Sequence, residues 1–440
     1  MIHFITLAFK NIFRQKKRSL TLGVNYSFVT FVLVLLLAFS TGATRNIRNN
    51  LIRASAGHIT ITGQYVKEGR VYLGIPETSK VVELAKNALG NAEILARYQV
   101  RSAMYYKGLS KMLLFVGIDT IRDTGYRDQM TFLAGSWDRF VGDPNGVLLP
   151  KDIASYYGLE LGDETVLSTR SRFGAFNTGI LKVEGIYTTN NFFANGAVLT
   201  HFDFLRRLDL SGSNTSSTLY VYLKHPNNVD EKRNQLMSVL KANGFQVSRP
   251  TNDAEAISVI SSASTKYQVD ESGNDRVELR VATINEVLGI VRSVLKAVNA
   301  VGAVITAIML FIIAISIFIN LRMTINERLR EIGTMRAIGM ESGGVTLLFV
   351  FENIILSLLF TAVGVVAAVG VSLLFRYLIV LPSAGNLGLF LDMGHFVLIP
   401  TIGGIALVVA ITTLSTALFA FFPARKGGKI TPVEALNKVF

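Results

Sequence analysis

Apolar positions in this chain gather into one run near the start and three crowded into the last third, with a long, mostly polar stretch between. No charge falls between Arg18 and Arg45, Lys296 and Arg322, Glu352 and Arg376, or Asp392 and Arg425. Each run reaches the roughly 20 residues that, at about 1.5 Å rise, cross a hydrocarbon core of about 30 Å. Lipid offers backbone groups no partner but each other, so the runs are expected to be helices. The expected spans are residues 19–44, 297–321, 342–375 and 393–424. A basic start before an apolar run also fits a secretory signal, with Ala38-Phe39-Ser40 as a loose cleavage site. At about 26 residues, however, the run exceeds the 7–15 of a signal's apolar region, so it is expected to stay as a helix.

Between the first two spans the pattern changes period. His58-Ile59-Thr60-Ile61-Thr62 alternates polar and apolar residues and reads as a strand. Lys111 to Ile118, Thr165 to Ser168, Leu181 to Tyr187, Leu219 to Leu223 and Phe245 to Ser248 are further strand candidates, rich in β-branched and aromatic residues. Helices are expected at Val81–Leu89, Asp152–Tyr157, Phe202–Leu208 and Asp230–Ala242. Asn252 with Glu255 fits a capping-box start for another. This is an α+β domain of two small lobes over residues 45–279. Val269 to Arg276 reads as a flexible polar loop, and residues 280–296 as a stalk helix entering the second span.

Composition agrees: half the residues are hydrophobic, 17% are charged, and mean hydropathy is +0.41. Basic residues near the span ends set orientation. The start carries Lys10, Arg14, Lys16, Lys17 and Arg18. The second-to-third connection carries Arg322, Arg328, Arg330 and Arg336, and the tail Arg425, Lys426, Lys429 and Lys438. Both ends and that connection therefore face the cytoplasm, and the large domain faces outward. The short outward connection at 376–392 offers only Arg376. Cytoplasmic segments hold thirteen bases against four acids, an excess that fits topology and anionic lipid heads. No basic motif is interleaved with aromatics, so nucleic acid is not expected as a partner. There is no cysteine, so the outward domain must hold itself by packing.

No catalytic constellation emerges. The five histidines are scattered, without metal-ligand spacing, and no G-x-S-x-G elbow occurs. Gly427-Gly428-Lys429-Ile430-Thr431 lacks the leading glycine of a phosphate loop and reads as a tail turn.

The most specific segment follows the second span. In residues 322–341, Ile325, Leu329, Ile332 and Met335 form one helical stripe. Glu327 with Arg330, and Arg328 with Glu331, are i,i+3 pairs on the expected exposed face, and Gly339 suits a C-terminal cap. Glu352 is the one acid inside an apolar span. Such acids are costly and mark function or a structural ion pair, here with an arginine near the interface. Gly364, Ala368 and Ser372 sit at a small-residue spacing suited to close helix packing.

The run Glu327-Arg328-x-Arg330-Glu331-Ile332-Gly333-x-x-Arg336-Ala337-x-Gly339 resembles the signature of the FtsX-like permeases, which include MacB-type and LolC/LolE-type ABC transporter subunits. Two further segments are similar to that family. At the start these are Leu7-Ala8-Phe9-Lys10-Asn11-Ile12-Phe13-Arg14, with Lys17 to Leu20, as an amphipathic segment spanning 1–18. At the end they are Pro423-Ala424-Arg425 and Pro432-Val433-Glu434-Ala435-Leu436, within a tail of 425–440. There Thr431, Pro432 and Glu434 make a helix start. Gly146 to Leu149, Gly158, Leu161-Gly162-Asp163 and Gly117-Ile118-Asp119 resemble the family's outer domain.

The resemblance implies a bacterial inner-membrane permease of four spans, with a two-lobed MacB-type core domain in the periplasm. It would pair with a second copy or paralogue and with a separate ABC ATPase. That ATPase would bind the ATP and Mg; this chain would bind no cofactor and catalyse nothing. Glu327, Arg328, Arg330, Glu331, Gly333 and Arg336 would form the coupling surface, with Glu352 as a candidate functional acid in the membrane. The expected work is lipoprotein release, since Ser55 to Ile61 is similar to the lipoprotein-releasing members. The alternatives are efflux through a periplasmic adaptor and outer-membrane channel, or FtsX-like signalling to a cell-wall hydrolase.

Overall fold

A computed structural model describes residues 16–67, 70–90, 92–189, 191, 194–252, 255–256, 276–380, 390–392 and 395–437. The chain forms two units. One comprises residues 45–294 with 382–394, the other residues 1–44, 295–381 and 395–440. The amphipathic start up to residue 15 and the loop at 269–275 lie outside the described residues.

In the helical unit, α1 spans Lys16–Leu51, α8 Gly289–Glu327, α10 Ser342–Tyr377 and α11 Ile402–Gly428, with the short α9, Leu329–Ala337, and α12, Pro432–Asn437. These four long helices are each apolar enough to cross a membrane. Lipid supplies no hydrophobic drive between helices, so small residues and hydroxyls do the joining. A Cβ on Gly364 would run into the Ser27 carbonyl and Thr30 of α1. Beside it Ser27 Oγ donates to the Phe360 carbonyl at 2.8 Å. Gly364, Ala368 and Ser372 are all buried within the chain, so this stripe is a seam inside one protomer. Gly427 and Gly428, expected in a tail turn, are instead the last residues of α11. They lie against Ile325 and against Ser342 and Thr346, where any side chain would collide.

Several boundaries differ from the sequence expectation. Charges at Arg45 and Arg48 end the apolar run but not α1, which continues to Leu51 and then a single π-helical turn, Ile52–Ala56. Residues 322–327 belong to α8. At the fourth span, apolarity begins at 393 but helix only at Ile402. Pro400 disfavours helical geometry in the residue before it, and Thr401 caps the start by accepting the Gly404 amide hydrogen at 3.1 Å. Before it, β13 (Leu391–Asp392) pairs with β14 (His395–Phe396).

The outer unit is built on strands β1 (Ile59–Lys67), β2 (Arg70–Leu73), β3 (Glu93–Tyr106), β4 (Leu109–Ile118), β5 (Met130–Gly135), β6 (Gly146–Pro150), β7 (Glu164–Arg170), β8 (Phe176–Thr189), β9 (Ala197–His201), β10 (Thr218–Tyr222), β11 (Gln246–Ser248) and β12 (Arg276–Thr283). Their order is β11-β12-β1-β10-β3-β4-β9-β6-β8-β5, with β2 on β1 and β7 joining β3 to β8. Through β7, six strands from β3 to β8 close into a ring, which removes their free edges. One apolar core lies on β1, β10 and β12 under α2 (Thr78–Leu89) and α6 (Val229–Ala242). It gathers Ile59, Ile61, Val81, Leu219, Leu236 and Leu279. A second core fills the ring with Met104, Phe115, Val147, Leu167, Val183 and Val198, joined by residues of α4 (Lys151–Tyr157) and α5 (Phe202–Leu208). A third cluster around Trp137 and Phe140 of α3 (Trp137–Gly142) also holds Ala54 and Tyr126. β3 is the strand common to both lobes: residues 93–97 pair with β10 and residues 98–106 with β4.

Two outer segments depart from expectation. Alternation such as that of β1 ordinarily leaves one face in water, yet Thr60, Thr62 and Gln64 are buried; Gln64 Nε2 donates to Glu278 at 2.6 Å. The expected stalk helix from Arg280 is strand β12 as far as Thr283, paired along β1. Helix begins only at α7 (Ile284–Val287), behind a capping box between Thr283 and Glu286.

Candidate coupling site

α8 ends at Glu327, and Arg328 leaves helical geometry (φ −102°, ψ 17°) before α9 starts at Leu329. The bend keeps its backbone bonds: the Arg328 amide donates to the Thr324 carbonyl at 3.0 Å, and its carbonyl accepts from Ile332 at 2.9 Å. Here the Arg328 side chain turns inward and is only 8% exposed. Its Nε donates to Glu331 at 2.8 Å and its Nη1 to Glu352 at 3.0 Å. Its guanidinium lies 5.6 Å from the centre of the Phe349 ring. A buried charge is costly unless paired and hydrogen-bonded, and Arg328 supplies both needs to Glu352. The lone acid of α10 thus anchors the start of α9.

The expected coupling surface therefore splits in two. Ile325 and Ile332 are buried and Met335 packs on the same core, as the stripe predicts. Arg328 follows that stripe inward instead of standing on the exposed face. Gly333 is inward too: a Cβ there would come within 2.8 Å of the Ala435 side chain on α12. The signature glycine thus seats the C-terminal helix. That helix starts as the sequence predicts, with Thr431 and Glu434 each accepting the other's amide hydrogen at 3.3 and 3.1 Å. Arg336 donates to the Met340 carbonyl at 3.1 Å. Gly339, at φ +103°, donates to Arg336, and Met340 donates to Met335, closing α9 with a Schellman-type cap. Glu327, Arg330 and Glu331 remain exposed.

Sequence reasoning passed over two polar joints in the outer unit. In the first, Arg97 and Asp123 form a fully buried bidentate pair with N–O distances of 2.5 and 3.0 Å, and Arg97 also donates to the Ala54 carbonyl. In the second, Arg233 and Asp230 of α6 hold the start of α7. Arg233 pairs with Glu286, and Asp230 accepts from Thr283 at 3.1 Å and Asn285 at 3.2 Å. For the first, the only sequence signal is a charge, Arg97, within a strand; Asp230 and Arg233 stand in the polar first turns of a helix and carry none. Among the described residues, no group of three or more His, Cys, Asp or Glu could hold a metal ion.

Residues 303–432 match the family model for the FtsX-like permease C-terminal domain. The macrolide export ATP-binding/permease protein MacB of Chromobacterium violaceum is 32% identical over 155 residues, 35% of this chain and 22% of that protein. The match thus spans about a fifth of that relative's length. An uncharacterized ABC transporter permease of Methanocaldococcus jannaschii is 22% identical over 98% of this chain and 97% of its own. The periplasmic region of MacB from Actinobacillus actinomycetemcomitans aligns at 13% identity and a TM-score of 0.31, over 44% of this chain and 86% of that one.

Proposed function

We propose that this chain, whose residues 303–432 match the FtsX-like permease model and whose four long helices are apolar enough to cross a membrane, is the membrane half of an ATP-driven machine, set in the inner membrane with its large domain in the periplasm. A separate cytoplasmic ABC ATPase binds and hydrolyses the nucleotide, and two permease chains carry the resulting movement to their outer domains. The chain itself does no chemistry. One observation supports this most: the end of α8 and α9 present Glu327, Arg330 and Glu331 outward while Arg328–Glu352 and Gly333–Ala435 fix α9 to the bundle. An element that is charged outside and locked inside suits receiving force from a partner of matching charge.

The proposed cargo is an acylated lipoprotein extracted from the outer leaflet, on the likeness of Ser55 to Ile61 to the releasing members. The name of the MacB relatives, macrolide export, favours the second reading, efflux of small apolar molecules through an adaptor and an outer-membrane channel. In-cell crosslinking from the outer domain separates the two: capture of acylated lipoproteins supports release, and capture of a periplasmic adaptor alone replaces it with efflux. Capture of a cell-wall hydrolase instead would make the chain a signalling permease.

A further inference from the structure

Arg97 stands where β3 stops pairing with β10 and starts pairing with β4. Its guanidinium touches three parts of the outer unit at once. Asp123 comes from the loop after β4, with Nε and Nη2 of Arg97 at 2.5 and 3.0 Å. Ala54 offers its carbonyl to Nη1 at 2.5 Å from the π-helical turn that follows α1. Tyr126 and Tyr220 flank the planar group with ring centres at 4.6 and 4.7 Å. The charged side chains are wholly shielded from water.

A pair this deep adds little net stability over apolar residues of similar volume, because desolvation offsets its attraction. Its geometry is a different matter. The bidentate fork fixes orientation as well as distance, which the apolar packing shared by Ala54, Ile118 and Tyr126 does not do by itself. π-helical turns of this kind also concentrate at functional sites.

We propose that Arg97 and Asp123 are the positioning residues of a transmission joint. They lock the turn at the end of the first membrane helix onto the strand shared by both outer lobes, so a shift of that turn moves one lobe against the other. The proposal rests on the ATP-driven reading above. The cleft that would change lies between α2 and α5; it measures about 950 Å³, and its walls include Asn87 on α2 and Asp203 on α5.

The chain has no native cysteine, so Asn87→Cys and Asp203→Cys in the full-length chain, purified with its ATPase in nanodiscs, give one spin-label distance across the cleft. With the natural joint, trapping the ATP-bound state shifts that distance. In Arg97→Met with Asp123→Leu the shift is lost, while the melting temperature stays within a few degrees and ATP hydrolysis continues. A shift of wild-type size in this variant overturns the proposal. A distance that ignores nucleotide in the wild-type chain, while the complex hydrolyses ATP, also overturns the proposal; a chain that neither retains nor stimulates its ATPase overturns the ATP-driven reading itself. Should the apolar pair misfold, Arg97→Lys keeps the charge but lacks the fork, and the shift falls about twofold or more; an undiminished shift there also overturns the proposal.

Discussion

Arg97 in the outer domain and Arg328 at the bend between α8 and α9 are both buried arginines on carboxylates, yet they are built differently. Arg97 spends two nitrogens on one carboxylate that is as buried as itself, and its third on a main-chain carbonyl. Arg328 divides its bonds between Glu352, whose side chain is 14% exposed, and Glu331, which is 45% exposed. The first is a closed joint whose members have no alternative partner. The second is open on one side, where water or a partner protein can compete for Glu331. A closed joint suits rigid transfer of motion, and an open one suits a surface that must respond to contact.

Breaking each pair from one side tests this contrast most strongly. Arg97→Met leaves the Asp123 carboxylate buried and alone, and should cost the outer domain about 3–5 kcal/mol, read as a fall in its melting temperature. Glu352→Gln leaves Arg328 with Glu331, and should cost about 1–3 kcal/mol. Equal losses in the two would end the distinction between closed and open. Gly333→Ala pushes a methyl into Ala435 and should cost about 1 kcal/mol or somewhat more, seen as earlier proteolysis of the C-terminal residues.

A smaller effect follows from pH. His58 Nδ1 accepts the Leu223 amide hydrogen at 2.9 Å. Burial first, then Arg48 and Lys232, holds its pKa below the ordinary value. A depressed folded pKa gives stability that is present above the ordinary histidine range of about 6.5 and lost as pH falls through the folded value. The outer domain's melting temperature should therefore be flat near neutrality and decline on acidification, and His58→Asn should flatten that decline. An unchanged slope in His58→Asn would place the acid sensitivity elsewhere.

The sequence revealed the spans because in lipid apolarity is obligatory, but it did not reveal their ends. Arg45 and Arg48 are compatible with helix once α1 has left the apolar zone, and helix starts only at Ile402, behind Pro400 and the Thr401 cap. In the outer domain the short β-branched runs were legible, as were the helices at 78–89, 202–208 and 229–242. β3 was missed because Arg97 and Arg101 interrupt its apolar pattern, and β12 because Arg276 to Thr283 contains good helix formers. The candidate coupling residues stand out as a group by their motif. Which of them turn inward depends on the bend at Arg328 and on α12, and neither is written in the motif's spacing. Arg97 was illegible for a related reason: its partners lie 26 and 43 residues away in the chain.

The bundle arrangement also changes which substitutions probe coupling. Arg328→Glu would set a second carboxylate beside Glu352 and damage the core, so the informative change is on the exposed face. Glu327→Arg with Arg330→Glu keeps net charge and changes two exposed residues, so stability should move by less than about 0.5 kcal/mol. The decisive measurement is cargo release or efflux per ATP hydrolysed by the complex carrying this reversal. A force-receiving α9 predicts a membrane-inserted protein of normal melting temperature whose ATPase is either lost on purification or turns over without transport. Wild-type coupling in the reversed complex would contradict it.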